Sequence, residues 1–314
     1  SRAIRVNPGL NLTGLYNKFG FIRSAAQAEK GAGKFLVNFL TSVKTVNGTY
    51  SKTQGTFLPG YLPSTDFVGQ DVDASAPGYD FLLGSQSDIR GRALRNNWIT
   101  QDSLLNQLYI TTNREDLNLR ALVEPFRDLR IELTAIKGQN FNYSTNFKYL
   151  PTTNSFANLS PVTTGDYTIS FFTLRTAFAK EDRDNNSSRL FKQLEENRAI
   201  ISRRLGESNP NSAGTSGSYS DGYNKGSQDV LIASFLAAYT GKDANKVSLN
   251  RFPKIPVPNW NLTYNGLSKF NLFNDLFTSF DLRHGYRSAY TVNGFNSLVR
   301  YQEINGAVSV RDAN

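Results

Sequence analysis

From Leu276 to Val292 two kinds of side chain take turns. Leu276, Thr278, Phe280, Leu282, His284, Tyr286, Ser288, Tyr290 and Val292 hold one parity, and Phe277, Ser279, Asp281, Arg283, Gly285, Arg287, Ala289 and Thr291 hold the other. Successive side chains of a strand point to opposite faces, so the run predicts a strand with an aromatic and aliphatic face and a charged, small-residue face. The stretch from Leu129 to Tyr149 repeats the pattern. Leu129, Ile131, Leu133, Ala135, Phe141, Tyr143, Phe147 and Tyr149 alternate with Arg130, Glu132, Thr134, Asn140, Asn142, Ser144, Asn146 and Lys148. At about 3.3 Å per residue such a strand spans roughly 70 Å, against about 3 to 10 residues for strands of soluble sheets. The alternative is two shorter strands broken at Lys137-Gly138-Gln139, since a glycine inside a strand often marks a bulge. Two-faced strands occur in half-wet soluble sheets and in transmembrane barrels, and the length favours the barrel.

Three segments read as one hairpin written three times. PGLNLTGLYNKF (8–19) leads to FLTSVKTVNGTYSKTQG (39–55), PNWNLTYNGLSKF (258–270) leads to LFTSFDLRHGYRS (276–288), and DLNLRALVEPFRDLRIELTAIKGQNFNYSTNFKY (116–149) has the tightest connection. Pro125, with no N–H to lose from a ladder, suits the turn of that middle copy. Long strands are therefore expected at about 41–57, 117–149 with a break near Pro125, 166–178, and 259–292 with a break near Phe270. The chain divides accordingly into a barrel hairpin with a helical turn (1–57), a long extracellular loop region (58–115), barrel strands (116–179), a helical and linker insertion (180–257), and a barrel hairpin with its following loop (258–314).

Within the loop region, LPGYLPSTD and APGYDFLLGSQSD are rich in turn residues, and a short helix is expected around Arg92–Trp98. In the insertion, Leu190, Leu194, Ile201 and Leu205 recur at helical spacing behind Ser187 as a cap, which predicts a helix over 188–205. Its cations Arg189, Lys192, Arg198, Arg203 and Arg204, set against Glu195 and Glu196, place it outside the hydrocarbon layer, at the periplasmic mouth or folded into the lumen. A Gly/Ser/Asn stretch at 207–227 reads as a mobile linker. DVLIASFLAAYTG is too apolar to be exposed and fits helix or strand. If 166–178 and NWNLTYNG both run downward, an upward crossing is needed between them, and 229–239 is the candidate.

With 314 residues, 22 Phe, 15 Tyr and a negative mean hydropathy, the composition suits aromatic girdles around a polar lumen. No apolar run is long enough for a spanning helix or a signal peptide, and the chain has no Met, so it reads as an internal piece of something longer. The net charge of +9 is scattered rather than gathered into runs, which argues against nucleic acid. With no Cys and one His, thiol chemistry is excluded and a triad or histidine metal site lacks partners, so no enzyme and no cofactor is expected. His284 lies on the apolar parity and reads as an interface or packed residue. KGAGK (30–34) has Phe35 where a phosphate loop needs Ser or Thr, LPSTD (62–66) reads as a turn, and Glu195 and Glu196 point apart on a helix.

FLTSVKTVNGTYSKTQGTFLPGY, APGYDFLLGSQ, LNLRALVEPFRDLRIELTA and NWNLTYNGLSKF followed by LFTSFDLRHGYRSAYTV together resemble the C-terminal half of the SprA/Sov family. These are outer-membrane translocons of the type 9 secretion system in Bacteroidota. The resemblance implies an all-β fold, part of a very large antiparallel transmembrane β-barrel with long loops and a small helical insertion, in the outer membrane of a Gram-negative bacterium. It implies a protein-conducting channel that exports folded cargo proteins and supports gliding motility. A PorV-type shuttle protein, a periplasmic plug protein and outer-membrane lipid would be its partners, and remaining segments of its own barrel must close the wall. Arg130, Glu132, Asn140, Asn142, Asp281, Arg283 and Arg287 would then face the conduit, and Leu129, Ile131, Leu133, Phe141, Tyr143, Phe280, Leu282, Tyr286 and Tyr290 lipid or partner. The competing readings are another outer-membrane barrel, a lipopolysaccharide inserter or a receptor, and a soluble β-rich glycan-binding surface protein.

Overall fold

The computed structural model describes residues 1–20, 41–66, 68–179, 181–182, 187–210, 212, 214–270, 277–296, 303–304 and 307–308. The nucleotide-loop-like 30–34 lies outside them. The fold is mostly antiparallel β-sheet with few helices. Its sheet has nine strands: β1 (Arg2–Val6), β2 (Gly9–Asn11), β3 (Val43–Phe57), β4 (Tyr109–Val123), β5 (Leu129–Leu150), β6 (Ser155–Ser170), β7 (Asn259–Tyr264), β8 (Leu282–Tyr286) and β9 (Ala289–Asn296).

The nine strands make fewer rows than strands, because three pairs lie end to end. β1 and β2 both pair with β3, so Arg2–Asn11 is one row interrupted at Asn7-Pro8. Pro8 has no N–H for a ladder, and its carbonyl instead accepts from Gly48 N at 2.9 Å. β5 pairs with β6 through Lys137↔Ile169 and with β7 through Thr134↔Asn259, so β6 and β7 continue one another along its edge. Val257 N donates to Ser170 O at 3.0 Å across the junction. On the far side β8 pairs with β7 and β9 with β6, and Ser288 N donates to Asn259 Oδ1 at 2.9 Å between them. The result is an up-and-down meander: β1/β2, β3, β4, β5, β6/β7 and β8/β9.

This arrangement removes the need for an extra crossing. The downward strand expected at 166–178 and the one at 259 are two halves of one row, with residues 171–258 inserted between them. The segment 229–239 is not a strand but lies in a helix, α5 (Gln228–Thr240), with Asp229 in its first turn and Gly241 at φ +64° ending it. Ala233, Ala237 and Ala238 are helix formers that lose no side-chain entropy, and all three are buried. Against expectation β6 stops at Ser170 and begins at Ser155, β4 begins at Tyr109 within what reads as loop, and Phe280 and Asp281 precede β8 outside any strand. β5 is unbroken from Leu129 to Leu150, with Gly138 paired to Asp116 on one side and Thr168 on the other.

All three hairpins form, as β2–β3, β4–β5 and β7–β8, with the short helix α1 (Leu12–Tyr16) directly after β2. The 124–128 turn has Asp128 at φ +68°, and Asp128 O accepts from Asn265 N at 3.0 Å, tying two neighbouring turns together. Gly165, opposite Phe141 and Phe295, meets a crowded backbone. A Cβ there would collide with Asn140 O and stand 2.7 Å from Phe141 Cδ1. Gly165→Ala is expected to cost about 1 to 3 kcal/mol, read as a lower midpoint of urea unfolding; an unchanged midpoint would mean that the strand shifts freely.

The loop between β3 and β4 carries α2 (Tyr79–Leu82) and α3 (Arg90–Arg95), the latter earlier than the expected 92–98. Trp98, Ile99, Ala93 and Ala76 form a small core with Tyr109 and Phe147 of the sheet, and Arg90 lies 4.5 Å over the Tyr109 ring. Arg92 holds Asp80 through two nitrogens and keeps its carboxyl at about 2, below the usual 3.8. A carboxyl lowered by folding contributes fully above its unfolded pKa, and that contribution is lost as pH falls through about 2. Amide exchange protection at Leu82 and Leu83 is therefore expected to persist at about pH 3 in the native chain and to fall there in Arg92→Leu. Equal protection in both would show that the pair holds nothing.

The insertion folds as α4 (Arg189–Ser208) against α5. Ser188, rather than Ser187, precedes α4, and no side-chain cap bond forms. Leu190, Ile201 and Leu205 are buried as their spacing predicts, Ile201 and Leu205 in one cluster with Val230, Ala233, Leu236 and Ala237. The 207–227 stretch is structured where described: a turn with Thr215–Ser216 and Tyr219–Ser220 paired folds back onto α4, where Ser220 N donates to Ser202 Oγ at 2.9 Å.

Candidate functional site

The register assigns every strand residue to one of two faces. On the first, Val46, Ala121, Leu133, Trp260 and Tyr286 stand opposite one another from β3 to β8, and so do Val123, Ile131, Leu262 and His284 from β4 to β8. Leu119, opposite Ala135, and Leu117, opposite Lys137, form the next rows on one side of these, and Leu129, Tyr264 and Leu282 the next row on the other. On the opposite face Arg5, Ser51 and Asp116 line up, as do Asn47, Arg120, Thr134 and Asn259, and Arg130 with Thr263 and Arg283. One face of the lower sheet is thus apolar and the other is hydrated.

The apolar face changes character sharply along the strands. At the level of Lys137 it meets charge: Lys137 Nζ lies 3.1 Å from Glu115 Oε1, Gln139 Nε2 donates to Glu115 Oε2 at 3.2 Å, and Lys52 stands opposite Glu115. Above that line the same face is a protein core. Tyr167, Ile169 and Tyr290 are buried by α4 and α5, with Phe141 packed at 4.9 Å on Phe252. Tyr143 meets Tyr109 edge-on at 6.4 Å under the β3–β4 loop. Below the line Leu119 and Leu282 are exposed, and Phe172 packs on Trp260 and Tyr286 at the upper edge. This open belt, Leu129–Ala135 in height and all six rows in width, measures about 20 Å by 24 Å in projection, an area at the upper end of what soluble monomers expose.

Aromatic rings edge the belt. Phe126 and Tyr264 meet edge-on at 6.1 Å beside the turns, and at the upper border Tyr286 stacks on Trp260 at 4.4 Å with Phe172 at 5.7 Å. Their polar ends are partnered: Tyr286 OH accepts from Thr173 N at 2.7 Å, and Trp260 Nε1 donates to His284 Nδ1 at 3.2 Å. His284 therefore serves this aromatic border. The upper cluster sits beside the row breaks at Asn7-Pro8, Ser170/Asn259 and Arg287-Ser288, which fall at one level across the sheet, opposite Gly48 and Ala135.

Of the residues expected on the apolar side, Leu129, Ile131, Leu133, Leu282 and Tyr286 lie in the open belt. Phe141, Tyr143 and Tyr290 share the face but are covered by the chain itself, because the insertion and the loop fold down over the upper half of the wall. Phe280 stacks on Phe277 at 5.4 Å outside any strand. On the hydrated face, Arg130 pairs with Glu132 at 2.9 Å, Asn140 is exposed and Asn142 half-buried, and Arg283 lies 3.8 Å from Asp281. Arg287 is exposed at the β8–β9 break. The belt also contains Trp260, Leu262, Tyr264 and Leu119, which the cross-strand register brings opposite Leu133, Ile131, Leu129 and Ala135. Aligning two of the hairpins by their Asn-Leu pairs gives the face but not the level: Asn118 and Asn261 fall on the hydrated face and Leu119 and Leu262 on the apolar one, opposite Ala135 and Ile131.

Among the described residues no group of three or more His, Cys, Asp or Glu is arranged to hold a metal ion, and no helix is long and apolar enough to cross a membrane, which says nothing of crossing by strands. No protein-family model matches the chain, and no curated protein matches it.

Proposed function

We propose that this chain is a wall segment of a large outer-membrane β-barrel that conducts folded proteins, as in type 9 secretion. The observation that carries the membrane reading is the open belt. A band of Leu, Ile, Val and Ala edged by aromatic rings, backed by a face of Arg, Asn, Thr and Asp, matches the demands of lipid outside and water inside. Charges on the hydrated face keep their water, whereas on the belt each would cost several kcal/mol. The outer edges of the β1/β2 and β8/β9 rows have no ladder partner among the described residues, which supports further strands beside them.

Protein conduction, gliding motility, the PorV-type and plug partners and the absence of catalysis rest on the family resemblance, and the proposal includes them. The test uses the full-length protein in its own cell. It is expected in the outer-membrane fraction as a heat-modifiable species, and its loss is expected to stop export of a reporter cargo while surface lipopolysaccharide stays normal. Normal export with altered lipopolysaccharide would favour an inserter, and recovery in the soluble fraction without detergent would favour a glycan-binding surface protein.

A further inference from the structure

The belt is short for its task. Leu129–Ala135 is seven residues between the turn and the Lys137 level, whereas a tilted strand needs about 9 to 11 to cross the hydrocarbon layer. Directly above it on the same face, the insertion carries exposed apolar side chains. Phe172 and Leu174 are each 38% exposed, Phe178 is 87% exposed, and Phe235 is 36% exposed although α5 is otherwise packed. Phe172 and Phe235 adjoin the border directly, and Leu174 and Phe178 lie on the same short segment as Phe172. Phe172 touches Trp260 and Tyr286, Phe235 stacks on Tyr239 at 4.3 Å and lies 6.2 Å from Tyr290, and Thr176 Oγ1 donates to Tyr239 O at 2.5 Å, which joins the 171–179 segment to the end of α5. Exposed Arg175 and Lys242 flank this surface on adjacent turns, Arg175 Cβ standing 3.8 Å from where a Gly241 Cβ would be.

Resting on the membrane reading above, we propose that this underside of the insertion, Phe172, Leu174, Phe178, Phe235 and Tyr239 with Arg175 and Lys242, seats in the phosphate-bearing headgroup layer of the membrane that the belt spans. The insertion is then an interfacial collar and not a domain held clear of the lipid. Rings with an apolar body suit the boundary layer, cations beside them meet lipid phosphates, and together they extend the apolar height where the strands alone fall short. The charged outer side of α4, with Arg189, Lys192 and Arg203 exposed, stays in water.

The chain has no cysteine, so single cysteines introduced in the full-length protein report one position of this chain each. Spin labels at Phe178→Cys, Leu119→Cys and Leu104→Cys are compared in nanodiscs of phosphatidylcholine with phosphatidylglycerol, by power saturation with oxygen and with a water-soluble nickel chelate. Leu104, on the β3–β4 loop, is 84% exposed and reports water. Leu119 is expected to be relaxed by oxygen, Leu104 by nickel, and Phe178 by both, at headgroup depth. In the Arg175→Glu, Lys242→Glu double variant the Phe178 label is expected to shift towards nickel while Leu119 does not change. A Phe178 label matching Leu104, with Leu119 still in lipid, overturns the collar alone. A Leu119 label in water overturns the belt and the collar with it.

Discussion

An arginine in place of Ile131 costs the assembled wall about 2 to 4 kcal/mol. Ile131 lies within the belt, opposite Val123 on one neighbour and Leu262 on the other, on the apolar parity between Leu129 and Leu133. With lipid on this face, a guanidinium there loses its water among Val123, Leu262, Leu129 and Leu133. On the other face the chemistry reverses: Arg283→Ser removes an exposed side chain whose nearest carboxylate, Asp281, is 3.8 Å away, and surface changes of that kind stay within about 0.5 kcal/mol. The midpoint of urea unfolding in detergent or bilayer, followed by heat-modifiable mobility, is expected to drop for Ile131→Arg and to hold for Arg283→Ser. A harmless Ile131→Arg beside a damaging Arg283→Ser would mean that the two faces are assigned the wrong way round.

The second large effect is expected in the insertion. Ile201 is fully buried between α4 and α5 with Val230, Ala233 and Ala237, and the same cluster runs on into Tyr167, Ile169 and Tyr290 of the wall. Ile201→Ala leaves a cavity that packed helices close only in part, at a cost of about 2 to 5 kcal/mol. The strands below are held by their own ladders, so the loss is local. The variant is expected to remain in the membrane fraction while the 207–227 stretch becomes a preferred site of limited proteolysis. A variant cut no faster than the native chain would show that the helix pair is fixed by contacts other than this core.

The parity of β5 is legible in the sequence because apolar residues hold one face from Leu129 to Ala135 and again at Phe141, Tyr143, Phe147 and Tyr149, interrupted at Lys137, Gln139 and Thr145, and a ladder on both sides keeps that alternation in register. The helix α4 is legible for the same reason, through Leu190, Ile201 and Leu205. α5 is not: Val230, Leu231, Ile232, Leu236 and Ala237 are apolar all round, so no period separates helix from strand, and only Gly241 at its end and the alanines favour the helix. The row that leaves the wall at Ser170 and returns at Asn259 is also hidden. A strand cut by an insertion reads as two strands, and only the hydrogen bonds of Val257 and Ser288 across the gap reveal one line. The parity of Phe141, Tyr143 and Tyr290 equals that of Ile131, yet lipid and a packed helix call for the same side chains, so alternation alone does not separate a wall facing lipid from one facing its own insertion.

The most direct test of the two-faced wall is a cysteine scan of β5 from Leu129 to Ala135 in the full-length protein, read by the reaction rate with a charged, membrane-impermeant thiol reagent in intact outer membranes. The account predicts a period of two: Arg130→Cys, Glu132→Cys and Thr134→Cys react quickly from the aqueous side, and Leu129→Cys, Ile131→Cys and Leu133→Cys react slowly until detergent or unfolding exposes them. Equal rates at all positions, or fast reaction at Leu129, Ile131 and Leu133, would contradict it.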